Sequence, residues 1–215
     1  MINIKICGIT SFDALNTAVK SKVDYIGCVF FSHSPRNVNF ELASAISELI
    51  PPHIKKVAVV VSPTIEHLKQ INKHFAPDYF QIDGETTPEK IKEIKASFPN
   101  KIIKTIYVSK KDFLNELDIY KNIVDMILFE AKSSNSYFID QPENTFDWQL
   151  LKNIDLKLPW ILSGGLSRFN VKSAIRASNA NIINASSTLE DAPGIKDTRL
   201  IEDFINASRS NFSNL

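Results

Sequence analysis

The strongest constraint on this chain is a repeated alternation of short apolar runs and stretches with helical spacing. The runs cover residues 4–7, 25–30, 57–61, 79–82, 102–108, 124–129, 160–162 and 182–185. Stretches with helical spacing follow them at about 12–22, 40–50, 64–75, 88–98, 110–120, 146–153 and 170–178, and the last ends near 207. Most of the runs are continuously apolar, the pattern of parallel strands covered on both faces. Eight such units at roughly 27 residues each fall at the compact end of the range for eightfold barrels. A doubly wound sheet shares the alternation but seldom needs so many units. The sequence therefore predicts an α/β chain forming a single (β/α)8 TIM barrel over residues 1–207, with 208–215 as a polar tail that frays.

Charge and cysteine usage narrow the function. The 215 residues carry a formal net charge of +1, with no basic or acidic block. That argues against a nucleic-acid or membrane surface, so an anionic ligand has to be held by local groups. The opening residues lack a secretory pattern and no apolar stretch approaches a membrane span, which predicts a cytoplasmic protein. Cys7 and Cys28 are too few for a disulfide framework and are expected to be reduced, Cys28 as a small core residue. His33, His53, His67 and His74 have no metal-ligand spacing, so no metal site is expected.

In a barrel, chemistry is placed at the C-terminal ends of the strands. The first run ends in Cys7, a candidate catalytic thiol, and Gly8 follows. Glycine occurs six times, and Gly8, Gly84, Gly164, Gly165 and Gly194 all follow predicted strands, where close backbone approach or ordinary turn chemistry would call for it. Ser163-Gly164-Gly165 after strand seven and Ser186-Ser187 after strand eight occupy the loops that often bind phosphate in barrels; a tight turn into the next helix is the alternative. Arg36, after Pro35 in the second loop, suits a planar carboxylate, or is a solvated surface arginine. Glu130 ends strand six, where a carboxyl could act with the thiol as an acid and base pair, or remain a rim carboxylate. The polar stretch 131–145 is long enough to be a functional loop.

Six segments taken together resemble the phosphoribosylanthranilate isomerase family: Ile4-Lys5-Ile6-Cys7-Gly8-Ile9-Thr10, Ser34-Pro35-Arg36, Gln81-Ile82-Asp83-Gly84-Glu85, Phe146-Asp147-Trp148, Leu162-Ser163-Gly164-Gly165-Leu166 with Asn170-Val171, and Pro193-Gly194-Ile195-Lys196-Asp197. The resemblance implies an enzyme of tryptophan biosynthesis that performs a cofactor-free Amadori rearrangement of a small phosphorylated substrate, as a monomer or homodimer. It implies Cys7 as general base, Arg36 as the holder of the substrate carboxylate, and Gly164, Gly165, Ser186 and Ser187 around the phosphate. The family's general acid is an aspartate at the end of strand six, so here the acid would be Glu130. Asp83 and Asn184, beside the substrate, stand where the family has histidine and aspartate; Thr188 replaces a glycine, and 133–144 lacks the family's glycine-rich turn. Another phosphosugar-converting barrel, or a phosphate-binding barrel without catalysis, would share many of these residues.

Overall fold

A computed structural model describes residues 2–108, 113–131 and 145–210. Eight parallel strands close into a barrel in chain order. They are β1 (Asn3–Cys7), β2 (Tyr25–Val29), β3 (Lys55–Val61), β4 (Tyr79–Asp83), β5 (Lys101–Val108), β6 (Met126–Ala131), β7 (Trp160–Leu162) and β8 (Ile182–Ala185). β1 pairs with β2 on one side and with β8 on the other, which closes the ring. The expected α/β class and barrel are thus both present.

Outside the strands lie α1 (Phe12–Lys20), α2 (Phe40–Leu49), α3 (Ile65–Phe75), α4 (Pro88–Ser97), α5 (Phe113–Tyr120), α6 (Val171–Ser178) and α7 (Thr198–Arg209). Several starts are written locally: Ser11, Asn39, Thr64, Thr87 and Asp197 each accept a backbone N–H of the first helical turn. The sixth helical place holds only a 3-10 turn, Trp148–Leu151, where the sequence predicted a short helix. α7 continues to Arg209 because Ser208 is fully buried and its hydroxyl returns to the Phe204 carbonyl. The tail expected to fray from 208 therefore begins as helix, and residues 211–215 lie outside the described residues.

Two apolar clusters follow from strand alternation. The larger lies between the strands and the helices and includes Ile4, Ile6, Ile26, Cys28, Phe80 and Phe129. The smaller fills the barrel and includes Cys7, Tyr25, Val57, Tyr79, Ile103, Met126, Leu128 and Ile161. Cys28 is fully buried, as expected for a core residue, and burial pushes its thiol pKa well up. Among the described residues, no helix is long and apolar enough to cross a membrane.

Polar side chains break into the inner cluster toward the C-terminal mouth. Lys5, fully buried, donates to Asn184 at 2.9 Å, and Asn184 donates to the Ser163 hydroxyl at 2.8 Å. Gln81 donates to Thr105 at 3.3 Å, while its own buried carbonyl oxygen has no hydrogen-bond partner. These groups form the floor of the mouth.

Candidate active site

Cys7 is the last residue of β1, 7% exposed at the top of the inner cluster. Glu130 stands inside β6, one residue beyond the predicted strand end, with its backbone in register with Tyr107 of β5. In the closed ring, β5 is diametrically across from β1 and β6 lies one strand to the side. Glu130 therefore stands one strand to the side of the position directly across from the thiol. Asp83 ends β4 and accepts a hydrogen bond from the Tyr107 hydroxyl at 2.6 Å.

The loop after β2 bends back on the barrel. Val29 bridges to Asn37 in parallel, and the Val38 N–H donates to the Val29 carbonyl at 2.9 Å. This return fixes Arg36 over the mouth, where Nε and Nη2 each reach a carboxylate oxygen of Glu190 at 2.8 Å. Glu190 also accepts from Lys196 Nζ and from the Gly194 N–H. The arginine predicted as a possible surface residue is 11% exposed in its side chain, and Glu190 only 4%.

Glu190 and Lys196 belong to a small hairpin, β9 (Glu190–Ala192) and β10 (Ile195–Lys196), where the sequence predicted only loop. Three-residue strands are too short to show a period. Gly194 makes the hairpin fit, because its φ is +83° and a Cβ there would lie 2.2 Å from the Pro35 carbonyl oxygen. Burial by itself would raise the Glu190 carboxyl, but the Arg36 hydrogen bond and the Lys196 charge hold it below its ordinary value. Burial pushes Lys196 down against the pull of Glu190. In this cluster two cationic side chains surround one carboxylate, and a Cβ on Gly8 would meet Arg36 Cδ, Lys196 Nζ and Ser186 Oγ.

The loops after β7 and β8 are tied together. Gly164 and Gly165 both have positive φ, and a Cβ on Gly164 would lie 2.7 Å from the Ala131 backbone nitrogen. Asn170 braces this turn by donating to the Gly165 carbonyl and accepting from the Ser167 N–H, each at 2.8 Å. Thr188 donates to the Leu166 carbonyl, which joins the eighth loop to the seventh. Ser186 donates to the Cys7 carbonyl at 3.1 Å, and Ser187 opens the 3-10 turn Ser187–Leu189. The candidate catalytic and binding residues thus gather toward one end of the barrel. Glu190 and Tyr107 were not singled out, and Lys5 and Lys196 stood in quoted motifs without a role. Most of the loop read as 131–145 lies outside the described residues.

A closed parallel barrel with a thiol, carboxyls and a paired cation cluster at its C-terminal mouth defines an enzyme of the (β/α)8 class. The pattern of the N-(5'phosphoribosyl)anthranilate (PRA) isomerase family matches residues 4–207. The N-(5'-phosphoribosyl)anthranilate isomerase of Parvibaculum lavamentivorans is 36% identical over 211 residues, 97% of this chain and 98% of that protein. The enzyme of the same name from Zymomonas mobilis subsp. pomaceae is 37% identical over 209 residues, 97% and 98% of the two chains. The crystal structure of phosphoribosyl anthranilate isomerase from Thermotoga maritima superposes with a TM-score of 0.88 at 30% identity, covering 98% of this chain and 100% of that one. A phosphoribosyl anthranilate isomerase solved with reduced 1-(o-carboxyphenylamino)-1-deoxyribulose 5-phosphate gives 0.85 at 30% identity, with the same coverage. The chain belongs to the phosphoribosylanthranilate isomerase family of aldose–ketose isomerases.

Proposed function

We propose that this chain converts N-(5-phosphoribosyl)anthranilate to 1-(2-carboxyphenylamino)-1-deoxyribulose 5-phosphate in tryptophan biosynthesis, with Cys7 as general base and Glu130 as general acid. The observation that carries the reading is the convergence of that thiol and that carboxyl on one mouth, flanked by the Arg36 cluster and the glycine turn. Each step moves a proton, so the chemistry calls for neither a metal nor an organic cofactor.

The Glu130 carboxylic acid protonates the furanose oxygen as the bond from that oxygen to C1 breaks, and the electron pair of the anilino nitrogen completes a C1=N iminium. The Cys7 thiolate then takes the proton from C2. The electrons of that C–H bond form C1=C2 and neutralise the nitrogen, and the enol tautomerises to the ketone. Arg36 binds the anthranilate carboxylate while keeping its two bonds to Glu190, in a cluster whose two cationic side chains suit an anion. The backbone at Gly164 and Gly165, with Ser186 and Ser187, takes the phosphate. Asp83, with Tyr107, and Asn184 border the sugar between these ends. Binding at two remote anions orients the reacting carbons without touching them.

The test is turnover of substrate generated in place by wild type, Cys7→Ala, Glu130→Asp and Glu130→Gln. Loss of the acid should lower kcat by about 10²- to 10⁴-fold in Glu130→Gln, and Cys7→Ala should be inactive yet folded. Full activity in either variant removes that residue from the mechanism. A folded wild type that binds substrate without forming product refutes the enzymatic reading.

A further inference from the structure

The scheme above leaves the buried ammonium of Lys5 without a task. Lys5 is fully buried in the barrel, and its hydrogen bond goes to the neutral amide of Asn184. Among the described residues it has no carboxylate within ion-pair distance. An ammonium taken out of water costs several kcal/mol unless an anion offsets it. Gly27 of β2 shows how near the Cys7 thiol lies: a Cβ there would be 2.8 Å from Cys7 Sγ and 3.2 Å from Lys5 Nζ. The thiol and the ammonium border the same small space, which glycine leaves open for both.

Other charged and titratable groups also face Cys7, and Lys196 is near enough to interact with it electrostatically. Lys196 of β10 and Arg36 after β2 are both in contact with Glu190 of β9. Asp83, Tyr107 and Glu130 stand across the mouth on β4, β5 and β6. Of the adjoining strands, β8 offers Asn184, which does not ionise, while β2 carries Gly27, Tyr25 in the same inner cluster, and Cys28, whose thiol pKa is pushed up by burial.

We propose that Lys5 is a positioning residue whose ammonium is the counter-ion of the Cys7 thiolate, aimed by Asn184. The proposal rests on the reading of Cys7 as the base. A carboxylate at position 184 would claim the ammonium for itself, whereas the amide holds it and leaves its charge for the sulfur.

The test follows thiolate absorbance in the ultraviolet against pH, each trace corrected with the same protein carrying Cys7→Ser so that Cys28 cancels. Lys5→Met keeps the volume and removes the charge; at neutral pH its thiolate fraction should fall about tenfold, the curve moving to higher pH because a lost cation disfavours the anion. Lys5→Arg should restore most of the signal. Equal curves for wild type and Lys5→Met, or equal shifts in Met and Arg variants, overturn the assignment. If Lys5→Met does not fold, Asn184→Asp serves instead: a carboxylate competing for the ammonium should lower the thiolate fraction, and an unmoved curve overturns the proposal. Absorbance reports the charge pair and turnover by Cys7→Ala reports the base, so the two readings fail separately.

Discussion

Gly27→Ala tests how tightly the thiol's placement controls the reaction. Gly27 lies in β2 with backbone angles open to any residue, so alanine adds one methyl group inside the barrel without backbone strain. That methyl would sit 2.8 Å from Cys7 Sγ and 3.3 Å from Cys7 Cα. Ordinary carbon contacts lie at about 3.5–4.0 Å, so the thiol must retreat by roughly 1 Å. Overpacking of this kind costs about 1–3 kcal/mol. Restricting the unfolded chain returns about 0.4–1 kcal/mol, so the net loss is about 0–2.6 kcal/mol. At about 2–4 °C per kcal/mol for a chain of this size, Tm should drop by only a few degrees. Turnover should suffer far more, since a 1 Å misplacement can cost about 10²-fold. The assays are a thermal melt and steady-state turnover on the same preparation. Wild-type kcat in a folded Gly27→Ala protein would refute the claim that the mouth holds Cys7 where the chemistry needs it.

Glu190→Gln should cost about 3–5 kcal/mol in urea unfolding, because it strands two largely buried cations, Arg36 and Lys196. It should also raise KM more than it lowers kcat if Arg36 holds the substrate carboxylate as proposed. The same residue sets an acid limit. Its carboxyl is held below the ordinary value of 4.5 in the fold, so its contribution is present above the unfolded carboxyl pKa and is lost as pH falls through the lower folded value. Stability measured against pH should therefore fall more steeply below about pH 4.3 in wild type than in Glu190→Gln; parallel curves would contradict this. Gly164→Ala combines a positive φ with a Cβ 2.7 Å from the Ala131 nitrogen. It should lose about 2–3 kcal/mol and much of its turnover, because it pushes the strand end that carries Glu130; an unchanged melt would show that the turn opens freely.

Much of this protein was legible before its structure. The order of apolar runs and helical stretches set eight strands and the barrel, because a parallel strand covered on both faces must be apolar along its length. Cys7, Glu130, Gly164-Gly165 and Ser186-Ser187 were findable because barrel chemistry gathers at strand ends, so position along the chain became position at the mouth. Tertiary structure decided the rest. Tyr107 reads from sequence as one more strand residue, and only pairing across β4, β5 and β6 sets it between Asp83 and Glu130. The Arg36–Glu190 contact joins residues 154 positions apart, and the hairpin that delivers Glu190 is too short to leave a periodic trace. Lys5 alternates with apolar neighbours, and the sequence by itself gives it no role. Closure of β1 against β8 turns it inward to Asn184, because a residue's side of the sheet is decided by which way the sheet curls, and that choice belongs to all eight strands together.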